Sequence, residues 1–316
     1  PPVGVAQGTW TLIGGQGNIV DANDPLTEVN GLTIGQNTFV WTMDNSVCGI
    51  SSDTMSVFVF DPNNPPADAG PDQELCVPTD STYMAGNTPI FPASGTWTVI
   101  TGTGVFPDPT DPGALVNNLS IGVNTFRWTT SNGPCANPIT FDDINVILFD
   151  DSTAAADAGP DQEVCLPLTS TVMAAAVPQL PATGSWSLLS GTGDIVDPGN
   201  PASVINNLTV GINVFVWTLD NGPCPPNGIM TDTMSIYVYD PAAPTANAGP
   251  DQSQCTPDLS ANMFGNIPAD PGVGTWTLAN GQGTITQPNN PFTIITDMAV
   301  GENIFVWTIY NGQCGF

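Results

Sequence analysis

The sequence predicts an all-β protein, a tandem array of β-sandwich domains, and three observations lead to this prediction. Glycine (33 residues) and proline (32 residues) are too frequent for long helices. Apolar residues make up 41% of the chain, which is enough to bury cores between sheets. Two sequence blocks recur four times along the 316 residues. Blocks that recur at a fixed spacing are typical of repeat architectures.

The tryptophans of the two blocks set the length of the repeat. The first block begins "GTWT" or "GSWS", and the second contains "F.WT". The two tryptophans are 31 residues apart in every copy: Trp10 and Trp41, Trp97 and Trp128, Trp186 and Trp217, Trp276 and Trp307. We therefore predict four repeats, at 1–62, 67–150, 156–241 and 246–316. By this alignment the first repeat lacks its opening strands and the last lacks its closing strand.

Each block has the pattern of a β-strand. In the second block, Phe39, Trp41 and Met43 alternate with Thr38, Val40 and Thr42, the period of a half-buried strand. About seven short strands in roughly 90 residues, separated by Gly, Pro, Asn and Asp, are typical of an immunoglobulin-like β-sandwich. The same alternation places the paired tryptophans in the core, in preference to a role in stacking on a ligand.

Seven cysteines can pair in two ways that respect the repeat. The first pairing joins residues 59 apart in one repeat and leaves Cys48 alone: Cys76–Cys135, Cys165–Cys224 and Cys255–Cys314. The second joins successive repeats and leaves Cys314 alone: Cys48–Cys76, Cys135–Cys165 and Cys224–Cys255. The second would have to span a closing strand of roughly 30 Å, whereas the Cα atoms of a disulfide lie within about 7 Å. We therefore predict the first pairing, with buried thiols as the alternative, and an oxidising, extracytoplasmic location.

The charge balance excludes several classes of function. With 29 acidic residues and one basic residue, the net charge of −28 repels nucleic-acid backbones and anionic membranes. Histidine and lysine are absent, so His-assisted nucleophiles and lysine Schiff bases are excluded. No apolar run is long enough to span a membrane. We predict that the chain is not an enzyme and has no catalytic residues, and that Arg127 forms a surface ion pair.

Acidic residues cluster at the predicted junctions between repeats, which makes Ca²⁺ a candidate cofactor there. Carboxylates on both sides of a linker could hold the ion and stiffen the array. The alternative is that aspartate suits turns and adds solubility. The candidate ligands are Asp61, Asp68, Asp72, Asp150, Asp157, Asp161, Asp240 and Asp251.

One phrase opens three of the repeats: "ADAGPDQELC" at 67–76, "ADAGPDQEVC" at 156–165 and "ANAGPDQSQC" at 246–255. We interpret it as structural. The Gly-Pro step predicts a turn into the first strand, with Asp72 hydrogen-bonded to its own backbone.

The combined pattern of "AGPDQ…C", "GTWT" and "NTF.WT..NGPC" resembles the PKD/immunoglobulin-like repeats of very large secreted surface proteins of Bacteroidetes. These include gliding-motility adhesins exported by type IX secretion. The resemblance covers all four copies and implies a PKD-like glycoprotein at the cell surface. It also implies O-glycans on Ser or Thr that follow Asp, at Thr54, Ser81, Ser152 and Thr233. The alternative is that this short motif recurs only because the repeat recurs.

These features favour a structural function, the stalk or filament of a large extracellular adhesin, with neighbouring repeats or copies of the same protein as partners. The alternative is an adhesive module whose loops, such as 88–94 and 267–274, bind surface glycans or proteins.

Overall fold

The computed structural model describes residues 7–150, 155–226 and 228–314. The chain divides into two compact units, Pro1–Asp150 and Asp151–Phe316, each of which holds two of the predicted repeats. The strands of the first unit are β1 (Gln7–Gly14), β2 (Asn18–Ile19), β3 (Val29–Asn30), β4 (Gly35–Asp44), β5 (Ile50–Val59), β6 (Gln73–Cys76), β7 (Thr82–Tyr83), β8 (Ser94–Thr101), β9 (Leu115–Val116), β10 (Gly122–Ser131) and β11 (Ile139–Phe149).

The second unit begins with the opening strand of the third repeat, which has no counterpart among the described strands of the first repeat. Its strands are β12 (Gln162–Cys165), β13 (Thr171–Val172), β14 (Thr183–Ser190), β15 (Asp194–Ile195), β16 (Val204–Asn206), β17 (Gly211–Asp220), β18 (Ile229–Tyr239), β19 (Ala261–Asn262), β20 (Val273–Asn280), β21 (Thr284–Ile285), β22 (Ile294–Thr296) and β23 (Ile304–Tyr310). Two single-turn 3-10 helices, Ser46–Cys48 and Gly312–Cys314, follow β4 and β23. Among the described residues, no helix has the length and apolarity that crossing a membrane requires.

The third repeat shows the complete sandwich. One sheet has the order β12-β18-β17-β14, and a smaller sheet has the order β13-β16-β15. The opening strand β12 pairs in parallel with the closing strand β18, which places Cys165 opposite Tyr239. In the second repeat, β6-β11-β10-β8 repeats the larger sheet, and Cys76 lies opposite Phe149. The predicted fold class, all-β with immunoglobulin-like sandwiches in tandem, is confirmed.

The paired tryptophans of the third repeat lie in the core, as predicted, with their rings tilted by 50°. Trp186 and Trp217 are directly opposite in β14 and β17, and their ring centroids are 5.0 Å apart. Both are almost fully buried. Gly184 lies against the Trp217 ring, and a Cβ there would overlap it. The glycine two residues before the first tryptophan of each repeat therefore leaves space for the ring of the second tryptophan.

The opening phrase attaches the first strand to the closing strand. The amide of Ala158 donates to the carboxylate of Asp232 at 2.8 Å, and Ala69 donates in the same way to Asp142. The backbone at the Gly-Pro step is irregular, and the local bond there is the one that Asp68 accepts from the amide of Gly70 at 2.9 Å. The bond predicted for Asp72 is wrong. Asp72 accepts from the amide of Asn145 in β11 at 2.8 Å, because the parallel closing strand runs beside it.

The two outer repeats bury less of their sheets. In the first repeat, whose sheet has the order β1-β4-β5, Met55 is 47% exposed, whereas the equivalent Met234 of the third repeat is 1% exposed. In the fourth repeat, β20 pairs only with β23 among the described strands. An open groove of about 470 Å³ lies along that sheet, lined by residues that include Gln252, Met263 and Phe305.

Candidate functional site: the joint between consecutive repeats

In both units, consecutive repeats meet through the same elements. We call this contact the joint. It consists of the aromatic residue and aspartate at the end of one repeat, Phe60-Asp61 just after β5 or Tyr239-Asp240 at the end of β18, and the Asn-Gly turn of the next repeat, Asn132-Gly133 or Asn311-Gly312.

An asparagine side chain spans each joint. The Nδ2 of Asn311 donates to the main-chain oxygen of Asp240 at 2.8 Å, and the Nδ2 of Asn132 donates to the oxygen of Asp61 at the same distance. Both bonds connect residues 71 positions apart. Asn132 is 7% exposed, so its bond is shielded from competing water. The recurrence of one bond at one spacing indicates that the two joints share one geometry.

A glycine of the turn packs against the aromatic ring of the preceding repeat. Gly312 has a φ of 59° and lies on the Tyr239 ring, and Gly133 has a φ of 55° and lies on the Phe60 ring. In each case an added Cβ would overlap the ring. Glycine is needed here twice over, for the left-handed backbone and for the close approach.

The joint of the second unit has an additional polar contact. The hydroxyl of Tyr310 donates to both carboxylate oxygens of Glu163, at 3.1 and 3.2 Å, and the amide of Gln313 donates to the same carboxylate at 3.1 Å. The rings of Tyr239 and Tyr310 meet edge to face, with centroids 6.3 Å apart.

These contacts change the acidity of both tyrosines. Burial, with the nearby Glu163 carboxylate adding to it, raises the pKa of Tyr239 to about 12. The hydrogen bond to Glu163 raises the pKa of Tyr310 above its ordinary value. Both hydroxyls therefore stay protonated well into the alkaline range.

The joint of the first unit uses a loop that we considered for ligand binding. In loop 88–94, the amide of Ile90 donates to Oδ1 of Asn64 in the linker at 2.8 Å. The Phe91 ring meets the Phe58 ring of the preceding repeat, with centroids 6.3 Å apart. This loop thus packs against the neighbouring repeat.

The predicted disulfide pairing is wrong. Cys165 is bonded to Cys314 of the following repeat, with a Cα–Cα distance of 5.6 Å. Cys76 and Cys224 are also disulfide-bonded, whereas Cys48, Cys135 and Cys255 are free thiols. None of the predicted pairs Cys76–Cys135, Cys165–Cys224 and Cys255–Cys314 is therefore formed. Each pair of the alternative pairing contains one of the free thiols, so that pairing is wrong as well.

The parallel opening strand explains the error. A bond between cysteines 59 positions apart requires the opening cysteine to lie at the same end of the domain as the turn before the closing strand. Because β12 runs parallel to β18, Cys165 instead lies beside Tyr239, at the end of the closing strand. Cys224 lies before Ile229, the first residue of β18, and the 11 residues of that strand place its start about 33 Å from Tyr239 at its end. Cys165 therefore faces the next repeat, where the turn carries Cys314.

Most of the candidate calcium ligands accept hydrogen bonds from main-chain amides. Asp61 and Asp240 accept from amides two residues ahead, Asn63 and Ala242, both at 2.8 Å. The same local turn occurs at Asp68 and Asp157, while Asp72 and Asp161 accept from closing-strand amides. Asp150 follows β11, and Asp251 lines the groove of the fourth repeat. Within the described ranges, no three acidic or cysteine side chains converge as a metal site, and calcium stays a prediction.

The remaining candidates are the O-glycosylation residues and Arg127. Thr54 and Thr233 are exposed on closing strands, and Ser81 is half-buried in the loop before β7, while Ser152 lies outside the described residues. O-glycosylation stays a prediction. Arg127 forms the predicted ion pair, with two bonds to Asp143 at 2.8 and 2.9 Å. Its hydrogen bond lowers the pKa of Asp143.

Sequence reasoning missed the joint, although a signal was present. The Asn-Gly pair after the second block and the aromatic-Asp-Pro triplet that ends repeats one and three recur together. Each also has a local role, since the amide of Asn132 donates to the main-chain oxygen of Pro138 and Asp61 begins a turn. A paired recurrence of this kind is what a contact between neighbouring repeats produces.

No protein-family model and no curated protein sequence matches the chain. Among solved structures, the chain is similar to the PKD domain from KIAA 1837 protein, with 22% identity, 32% of this chain and 96% of that chain covered, and a TM-score of 0.25. It is similar to the titin I-band fragment I67-I69, with 13% identity, 73% and 87% coverage and a TM-score of 0.31. It is also similar to the extracellular domains 3-5 of Drosophila OTK, with 12% identity, 74% and 85% coverage and a TM-score of 0.32.

Proposed function

We propose that the chain is a segment of the structural stalk or filament of a large extracellular adhesin. The observation that carries this proposal is that the same joint is built twice, with the same hydrogen bond and the same glycine-on-ring contact. A stalk must keep a fixed angle between successive domains, and a recurring joint of this kind supplies it. Repeats joined only by flexible linkers would not be expected to form the same contact at two junctions.

The linkers contribute to the stiffness. Asp61 and Asp240 each begin a proline-containing turn, and their carboxylates hold the next amides of that turn. The side chain of Asn87 then binds the oxygen of Pro66, and Asn266 binds that of Thr245, at the far end of each linker. Both ends of the linker are fixed to folded elements, so the linker has little freedom to act as a hinge.

Disulfides and composition support an extracellular location. Apart from Arg127 the chain has no site for trypsin-like proteases, an advantage for a surface fibre. The resemblance to repeats of Bacteroidetes surface proteins leads us to propose export by type IX secretion, a place in a gliding-motility-type adhesin and O-glycans on Thr54, Ser81, Ser152 and Thr233. Neighbouring repeats and copies of the same chain are the proposed partners.

A distance measurement between repeats tests the stalk. Spin labels are placed on non-canonical residues at Val196 and Val300, which are 63% and 81% exposed in the third and fourth repeats, so the native cysteines stay untouched. Pulsed electron spin resonance should give one narrow distance distribution. A broad distribution, as expected for beads on a flexible tether, would contradict the proposal.

One observation supports the alternative function, an adhesive module. In the third repeat, Val177 and Leu180 are 79% and 84% exposed in the loop before β14, and apolar side chains on a loop tip can contact a partner. Binding of the intact chain on a glycan array that is lost on Leu180→Asp would favour this function.

A further inference from the structure

The Cys165–Cys314 disulfide closes a very long covalent loop. Its two cysteines are 149 positions apart, yet their Cα atoms are 5.6 Å apart. Inside the loop lie all of the third repeat after its opening strand, the linker, and the fourth repeat up to its last turn. The two ends of this segment are therefore held together by one bond, whatever happens between them.

We propose that this disulfide carries axial tension past both repeats, so that repeats three and four cannot be unfolded by pulling on the array. Tension that enters through β12 reaches Cys165 after only a few residues. From there it crosses the disulfide to Cys314 and leaves at the end of the fourth repeat. This path is covalent throughout, so the hydrogen bonds between β12 and β18 do not have to resist the force.

Without the bond, tension would act on the sandwich itself. β12 and β18 are parallel neighbours with four paired residues, and force enters at the start of β12 and leaves at the end of β18. The two strands would slide past each other, and their hydrogen bonds would share the load until they broke together. Unfolding would then release the whole loop of 149 residues, roughly 500 Å of chain at 3.3–3.6 Å per residue.

This inference goes beyond the proposed stalk, and the two can fail separately. The stalk requires a fixed angle at the joint, which the spin-label distance measures in the absence of force. The tension path requires only the covalent connection and would hold even if the joint were flexible.

Force spectroscopy on the full chain tests the proposal. Handles are attached at Pro160, an exposed position just before β12, through a non-canonical residue, and at the carboxyl end of the chain. The variant Cys314→Ser opens the loop. The matched control is Cys255→Ser, because Cys255 is an exposed free thiol inside the same loop.

The unaltered chain and Cys255→Ser should show no unfolding step between the handles, and Cys314→Ser should lengthen by roughly 500 Å in total. A second arm covers the case in which Cys314→Ser does not fold. The unaltered chain is held at constant force and dithiothreitol is added, which supplies two electrons and two protons and leaves two thiols. Lengthening should begin only then. Lengthening of the oxidised chain by that amount before the reductant is added would overturn the proposal.

Discussion

The side-chain amide of Asn311 donates a hydrogen bond of 2.8 Å to the main-chain oxygen of Asp240, and this bond joins two repeats. Asn132 and Asp61 form the same bond in the first unit, and each lies 179 positions before its counterpart in the second unit (311 − 132 and 240 − 61). Because the bond recurs at the equivalent place, it belongs to the repeat and not to one local sequence. The joint is accordingly the feature from which the function is argued.

Replacing the donor of this bond should weaken the docking of the two repeats. We expect Asn311→Ala to lower the free energy of unfolding by about 1 kcal/mol, since a neutral hydrogen bond contributes about that much. Urea unfolding measures the loss, and the spin-label distribution between Val196 and Val300 should broaden. Gln313→Ala is the control, because Gln313 is exposed and contributes its main-chain amide to the joint. An equal loss in both variants would argue against a specific role for Asn311.

The glycine of the joint should tolerate no side chain. Gly312→Ala adds a Cβ that overlaps the Tyr239 ring and also strains a φ of 59°. Gly31→Ala is matched for the backbone, since its φ is 68° and its Cβ would meet nothing within 4 Å. We expect Gly31→Ala to cost about 1 kcal/mol for the left-handed backbone alone.

The overlap at Gly312 should add about 1–3 kcal/mol to that cost or undock the repeats. Urea unfolding of the two variants separates the two contributions. Equal losses would show that the ring contact contributes nothing to the joint.

The tyrosines of the joint predict a loss of stability at alkaline pH. The pKa of Tyr239 rises from 10.0 to about 12 on folding, so the folded chain binds the proton more tightly than the unfolded chain. The resulting stabilisation is complete below about pH 10 and disappears as the pH rises through about 12. Tyr310, whose pKa is raised by Glu163, contributes in the same direction.

Unfolding free energies measured at intervals from pH 8 to about 12 should therefore fall above pH 10 in the unaltered chain. Tyr239→Phe should reduce this slope, because phenylalanine does not titrate and already stands at the equivalent Phe60. Tyr83→Phe replaces an exposed tyrosine outside the joint, and its curve should match that of the unaltered chain. A slope that Tyr239→Phe leaves unchanged would contradict the assignment.

The sequence was sufficient to predict the strands inside one repeat. The alternation around Phe39 and Trp41 predicted the strands and the core position of the paired tryptophans, because both follow from local periodicity. The direction of the opening strand relative to its neighbour does not follow from local periodicity. Whether the opening strand before Cys165 lies parallel or antiparallel to its neighbour depends on the tertiary structure, and the disulfide pairing depended on that choice.

The same limit applied to the junction aspartates. An aspartate that begins a turn and one that binds calcium have the same local sequence, and only the positions of the amides distinguish them. Asp61 and Asp240 accept hydrogen bonds from the amides of their own turns, and these bonds stabilise each linker without a metal ion. The sequence could indicate the place of the junction but not the partner of each carboxylate.

Metal removal tests the remaining calcium prediction. Because the carboxylates of Asp61 and Asp240 are occupied by main-chain amides, we expect the joint to keep its geometry in EDTA. The spin-label distribution and the thermal midpoint should then be equal in EDTA and in millimolar Ca²⁺. A midpoint that rises with Ca²⁺ and falls in Asp240→Asn would establish calcium at the joint instead.

The pairing of Cys165 tests the account most directly, because it decides whether consecutive repeats are covalently joined. Trypsin is of little use with one basic residue, but cleavage before aspartate separates the relevant cysteines into peptides 161–193, 220–231, 251–257 and 297–316. Mass spectrometry of the unreduced digest should find 161–193 joined to 297–316, which is the Cys165–Cys314 bond between repeats. Finding 161–193 joined to 220–231, a bond within one repeat, would contradict it.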